Sequence, residues 1–216
     1  MVNSIIICVA FVLLIGLLIA EKRGNPKWKL TFKAPLSALF LFAALIQPHP
    51  APVYYYAVLA GLIWGLVGDI CLAIPGNNAF RAGLVAFLLG HILYIVAFVG
   101  LAESARWITP EYLLIAAVSV GIFLWLRPNV GKMLFPVILY IVVISVMLAA
   151  AWMAFLNPAL NVTGAWFVFI GALCFYASDI FVARDRFIAS QFANRLMGLP
   201  LYYTGQFLIA FSVGTV

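Results

Sequence analysis

Eight apolar stretches, at roughly 3–20, 34–47, 53–74, 81–101, 111–126, 134–155, 164–183 and 196–214, take up most of this 216-residue chain. Their interiors carry just two charged side chains, Asp69 and Asp179. Runs of that length and apolarity read as helices that cross a bilayer, because no soluble domain can hide so much hydrocarbon surface. The composition agrees, with 67% hydrophobic residues, 8% charged and a mean hydropathy of +1.19. The expected fold is an all-α polytopic membrane protein: one transmembrane domain over 1–216, a bundle of eight helices with no room for a separate soluble domain. Breakers separate the runs: Pro48-His49-Pro50-Ala51-Pro52 cannot continue a helix, and Pro75-Gly76-Asn77-Asn78 reads as a turn. The second run is short for a bilayer and is expected to begin earlier, near Leu30.

The formal charge of +6 does not point to nucleic acid, because the basic residues sit in short connections between apolar runs and report orientation instead. With the N-terminus outside, the inner connections hold Lys22, Arg23, Lys27, Lys29, Lys33, Arg81, Arg127, Lys132, Arg184, Arg186 and Arg195; the outer ones hold Arg106 alone. Both termini are then expected outside. The first run has no basic residue before it and Glu21-Lys22-Arg23 directly after it, which marks a retained span rather than a cleaved signal. Cys8, Cys71 and Cys174 all lie within apolar runs and form no spaced framework, so free thiols are expected. A multi-pass protein is implied, in the inner (plasma) membrane if the source is bacterial, with membrane lipids as its surroundings and no nucleic acid partner. The oligomeric state is not legible.

The two buried acids share a local frame: a glycine eight before (Gly61, Gly171), a small residue one before (Gly68, Ser178), Ile one after and Ala four after. A carboxylate within hydrocarbon costs several kcal/mol, and such residues normally face a protein interior or wet cavity and mark function. Runs three and seven both head inward, so each acid lies roughly 7–9 Å below the inner surface at 1.5 Å per residue. The returning runs four and eight match in direction too, which suggests two parallel four-helix repeats.

Run four places Gly83, Phe87, Gly90, His91 and Tyr94 on one face; run eight does the same with Gly198, Tyr202, Gly205 and Gln206, and run six adds Tyr140 and Met147. These groups are expected to line an inward-facing pocket, carboxyls near its mouth, His91 and Gln206 near its floor about 15 Å deep. Plain structural roles compete with this. His91 and Gln206 serve equally well as helix–helix ties, the glycines as packing sites, the tyrosines as interior aromatics, and the aspartates as ion-pair partners of Arg81 or Arg184. One histidine without thiolates argues against a metal site, and no Gly-x-Ser-x-Gly elbow is present. Acid–base work remains. Two carboxyls in low dielectric repel when both are ionised, so one keeps its proton beside an ionised partner, an arrangement that cleaves acetal-like bonds. It equally serves a proton-coupled small-molecule or lipid transporter, and a purely structural protein is the third reading.

The blocks Gly68-Asp69-x-x-Leu72, Phe80-x-x-Gly83-x-x-x-Phe87-x-x-Gly90-His91-x-x-Tyr94, Tyr140 with Met147, Ser178-Asp179-x-x-x-Ala183 and Tyr202-Tyr203-x-Gly205-Gln206-x-Leu208-Ile209 occur in that order. In this the chain resembles the YhhN family of membrane proteins, which includes the animal lysoplasmalogenases. The resemblance implies an eight-span hydrolase that cleaves the vinyl ether of a lysophospholipid substrate, a lysoplasmalogen, to a fatty aldehyde and glycerophosphocholine or glycerophosphoethanolamine. It implies no metal or organic cofactor, and places Asp69 and Asp179 at the catalytic positions. His91, Tyr94, Tyr140, Ser178, Tyr202 and Gln206 would support the carboxyls or orient water. Arg81, Lys132, Arg184 and Arg195 stand near the expected mouth as candidates to hold the phosphate. One departure from the family pattern, Lys33-Ala34-Pro35 where Lys directly precedes Pro in relatives, puts a role for Lys33 in doubt.

Overall fold

The computed structural model describes residues 1–102 and 109–216; Arg106, the basic residue expected outside, lies beyond them. The described chain forms eight α-helices: α1 (Val2–Arg23), α2 (Pro26–Leu45), α3 (Pro52–Ala73), α4 (Asn77–Gly100), α5 (Glu111–Leu126), α6 (Leu134–Phe155), α7 (Val162–Phe187) and α8 (Phe192–Ser212). Two short 3-10 turns, Arg127–Asn129 and Gly131–Met133, join α5 to α6. Seven of the helical segments are long and apolar enough to cross a membrane. The exception is α8, which carries Asn194, Arg195 and Gln206 along its length.

Local chemistry sets the boundaries. Gly24 ends α1 in the left-handed conformation at φ 65°, a region that costs glycine nothing. Asn25 caps α2, accepting from the backbone N–H of Lys27 and Trp28 at 3.1 and 3.3 Å, with Pro26 in the first turn, where no donor is lost. The helix therefore starts at Pro26, well before residue 34, and Lys33 sits two turns inside it rather than in a connection. Pro35 and Pro200 lie within α2 and α8, each removing one backbone bond close to the site described below.

The helices alternate in direction, as contacts at the two ends demonstrate. At one end, Gln47 donates to Asn3 at 3.2 Å, Tyr54 and Ser212 share a 2.5 Å hydrogen bond, and Asn157 donates to the Leu101 carbonyl at 2.7 Å. At the other, Glu21 of α1 meets Lys29 of α2 and Arg195 of α8, while Arg186 of α7 donates to Asn77 of α4 at 2.6 Å. The α1 helix packs on α2 and α8, burying Leu17 and Ala20 completely. All three cysteines are free thiols.

The antiparallel hairpins α3–α4 and α7–α8 are the most closely packed pairs, and glycine is the reason. A methyl on Gly90 would lie 3.2 Å from the Gly61 carbonyl oxygen, and one on Gly205 would lie 2.7 Å from that of Gly171 and 3.0 Å from the Phe175 nitrogen. Backbones this close leave no space for a side chain, the usual device for joining helices where lipid supplies no hydrophobic drive. Gly205→Ala is therefore expected to destabilise the protein by about 1–3 kcal/mol, seen as a lowered unfolding temperature in detergent. Gly121→Ala, whose added carbon meets nothing within 4 Å, should change stability by no more than about 0.5 kcal/mol.

Candidate active site

Asp69 and Asp179 both face one cavity of about 510 Å³, enclosed mainly by apolar walls that include Leu84, Phe87 and Ile144. Helix α3 delivers Asp69 and α7 delivers Asp179, each one step past the small residue (Gly68, Ser178) that packs against the hairpin partner. A methyl on Gly68 would meet Phe87 of α4, and one on Gly198 of α8 would lie 3.5 Å from the Ser178 carbonyl oxygen. The acids are thus carried by the tightest parts of the bundle.

Their surroundings differ. Asp69 is fully buried. Lys33 Nζ lies 3.0 Å from its Oδ1 in an ion pair outside hydrogen-bond angles. Ser37 and Tyr202 each donate to Oδ2 at 2.6 Å. Behind Tyr202 runs a relay in which Gln206 donates to the Tyr202 hydroxyl at 3.1 Å and Tyr94 donates to Gln206 Oε1 at 2.6 Å. Tyr203 stands 3.2 Å from the Ser37 hydroxyl. Tyr94, Gln206 and Tyr202 thus form one chain of hydrogen bonds that ends on Asp69 Oδ2.

Asp179 is served more sparsely. Tyr140 donates to its Oδ2 at 2.6 Å, and Oδ1 has no hydrogen-bond partner among the described residues. His91 Nε2 lies 3.9 Å from Oδ2. The His91 ring is wholly buried, packed at ring-centre distances of 4.6 Å against Phe175 and 5.3 Å against Tyr140, and neither of its nitrogens has a protein partner. The 3.9 Å separation is too long for a hydrogen bond, so His91 flanks the Asp179 carboxyl without binding it.

Several expectations are corrected here. No hydrogen bond joins the two carboxyls, so direct sharing of one proton is absent from this arrangement; the Phe175 ring packs against both Tyr202, the partner of Asp69, and His91, the neighbour of Asp179. Asp69 pairs with Lys33 and not with Arg81, and Arg184 donates to Asn194 instead of Asp179. Arg81 and Lys132 are exposed and do not line the cavity. Ser178 lines it, yet its hydroxyl donates to the Phe175 carbonyl at 2.7 Å and is spent on its own helix. His91 and Gln206 stand behind the wall rather than forming a floor, Gln206 bound to Tyr202 and His91 beside Asp179. Tyr94 acts through Gln206.

Ser37 escaped the sequence reading and a role for Lys33 was put in doubt, although the Asn25-Pro26 start signal places them on one helical face, four residues apart. Glu21, Lys29 and Asp185 were missed too; with Arg195 they form a charged ring at the cavity's outer end. For metal binding the site offers the His91–Asp179 approach, and among the described residues no three His, Cys, Asp or Glu side chains converge.

Comparison with known proteins identifies the family. A model of the YhhN family matches residues 28–213. A protein named lysoplasmalogenase from Mycobacterium bovis is 32% identical over 191 residues, covering 86% of this chain and 69% of its own. Lysoplasmalogenase TMEM86B of Sus scrofa is 30% identical over 190 residues, covering 88% and 77%. The Escherichia coli O6:H1 protein named uncharacterized membrane protein YhhN is 27% identical over 199 residues, covering 90% and 91%. No solved structure matches. With its apolar helices and this match over most of its length, the chain is an integral multi-pass membrane protein and belongs to the YhhN family.

Proposed function

We propose that the protein is a lysoplasmalogenase-type hydrolase, using Asp69 and Asp179 to cleave the vinyl ether of a lysophospholipid held in the cavity. The observation that carries this reading is the pair of unlike carboxyls on one apolar-walled cavity: Asp69 ion-paired to Lys33 and accepting from two hydroxyls, Asp179 accepting from one. The named relatives supply the substrate class.

In this mechanism Asp179 carries the proton. It protonates the alkenyl carbon one removed from the ether oxygen, a C–H bond forms from the π electrons, and positive charge develops on the O–C unit. Asp69, ion-paired to Lys33, offsets that charge. Water adds to the cationic carbon and returns a proton to Asp179, whose carboxyl His91 flanks. The hemiacetal then breaks its bond to the glycerol oxygen, its hydroxyl proton moving to that oxygen. The sum is one water consumed, one fatty aldehyde and one glycerophospho head group released.

The reading includes three structural proposals. Helix α8 is the eighth crossing, its polar residues turned inward on Asp69 and α7. The end bearing all eleven Lys and Arg among the described residues faces the cytoplasm, with both termini opposite. The hairpins α3–α4 and α7–α8 are repeats, supported by equivalent Gly61–Gly90 and Gly171–Gly205 approaches. The repeats also serve each other: Tyr202 of the second binds Asp69 of the first, and His91 of the first approaches Asp179 of the second.

Aldehyde release from lysoplasmalogen by purified protein in detergent is the test, since a transporter releases none. Asp69→Asn and Asp179→Asn are each expected to cut the rate by about 10²- to 10⁴-fold while the helical signal persists; retention of full rate by either refutes the paired-acid mechanism. Lys33→Met should destabilise by about 3–5 kcal/mol, the cost of leaving a buried charge alone. Lys33→Met with Asp69→Asn should recover stability without recovering rate. For His91→Gln, kcat should fall roughly tenfold or more at unchanged KM, and a change confined to KM would remove His91 from the hydrolytic step.

A further inference from the structure

The charged ring at the outer end of the cavity is not used by the chemistry above. It is drawn from four helices: Glu21 on α1, Lys29 on α2, Asp185 on α7 and Arg195 on α8, all lining the cavity. Glu21 Oε2 lies 2.7 Å from Lys29 Nζ and 3.4 Å from Arg195 Nε, and Arg195 Nη2 donates to Asp185 at 2.7 Å. Asp185 is otherwise filled, accepting from the Gln191 backbone at 3.1 Å and from Asn194 at 3.2 Å, so its work is to hold Arg195 in place. Lys29 has Glu21 as its anionic partner and two further N–H groups to spend; Arg195 keeps Nη1 uncommitted. The ring is partly open, with 21% of the Lys29 and 31% of the Arg195 side chain accessible.

We infer that this ring is a head-group seat for a zwitterionic phosphodiester: Lys29 and Arg195 take the phosphate, and Glu21 takes the ammonium. The inference rests on the hydrolase reading for the lipid's chemistry, but its geometry stands separately. Lys29 precedes Lys33, the partner of Asp69, by one helical turn of about 6 Å, and Asp185 follows Asp179 by about 9 Å of helix. In a 1-alkenyl lysolipid, five single bonds separate the ether oxygen from phosphorus, roughly 6 Å when extended. One molecule therefore reaches from the ring to the carboxyls without bending. The ring is balanced, two cations against two anions, so a phosphate with its ammonium leaves it neutral. A phosphomonoester, carrying more negative charge and no ammonium, would face Glu21 uncompensated.

The test uses binding, which needs no turnover. The probes are the non-cleavable 1-alkyl-glycero-3-phosphoethanolamine and the phosphate-free 1-alkylglycerol of the same chain length, measured on the full chain in detergent, with aldehyde release from the alkenyl lipid run in parallel. The wild type should prefer the phosphodiester, and that preference should fall about tenfold or more in Lys29→Met and in Arg195→Met, the loss of a charge-assisted bond. Arg195→Lys should retain part of it and keeps the test open if Arg195→Met folds poorly. Glu21→Gln should narrow the gap between the phosphodiester and the corresponding 1-alkyl phosphomonoester. An unchanged preference in both methionine variants overturns the seat. Selective binding that depends on Lys29 and Arg195, with no aldehyde released by wild type, upholds the seat and removes the hydrolase reading.

Discussion

The ion pair between Lys33 and Asp69 is the constraint around which the bundle is organised. Two charges with almost no access to solvent are tolerable only as partners, and each holds a helix to the other. Lys33 belongs to α2 and Asp69 to α3, while Tyr202 reaches Asp69 from α8. One carboxylate thus ties the neighbouring helices α2 and α3 to α8, distant in sequence. Ser37 donates to the same carboxylate, and Tyr203 stands against the Ser37 hydroxyl. The first helix, lying across α2 and α8, closes this side and brings Glu21 to the cavity's outer end.

Glycine contacts make the second constraint. Helices α3 and α4, and likewise α7 and α8, approach until backbone meets backbone at Gly61–Gly90 and Gly171–Gly205. That closeness fixes the register of each hairpin and hence the height of Asp69 and Asp179 on the same cavity. A cavity with rigid apolar walls and a few placed polar groups is the usual form of a small-molecule site, and here the rigidity comes from packing that admits no side chain.

Inequality between the acids gives the site its chemical direction. Donors converge on Asp69 from Lys33, Ser37 and Tyr202; Asp179 receives one hydroxyl and is flanked by an imidazole with no protein partner. A matched pair would have no reason to divide proton delivery from charge stabilisation. The outer charged ring adds a polar gradient along the cavity, from ion pairs at its end to apolar walls within, the pattern an amphiphile presents in reverse.

Much of this was legible in the chain itself. Eight apolar runs determined eight helices and the breakers between them, because hydrocarbon admits no other unpaired backbone. Matched glycine–acid frames singled out Asp69 and Asp179, and helical spacing put Phe87, His91, Tyr94, Tyr202 and Gln206 on inward faces. Hydropathy misjudged α2, since Lys27, Lys29 and Lys33 lower its average and made a helix look like a connection; the Asn25-Pro26 start was the better signal. Which base meets which acid was decided only by tertiary structure. Arg81 is near Asp69 in sequence yet exposed, whereas Lys33, thirty-six positions away, is its partner, because pairing follows the faces that helix packing turns together. The inequality of the two acids has the same origin: carboxyls in matched local frames acquire different chemistry from the side chains that other helices bring to them.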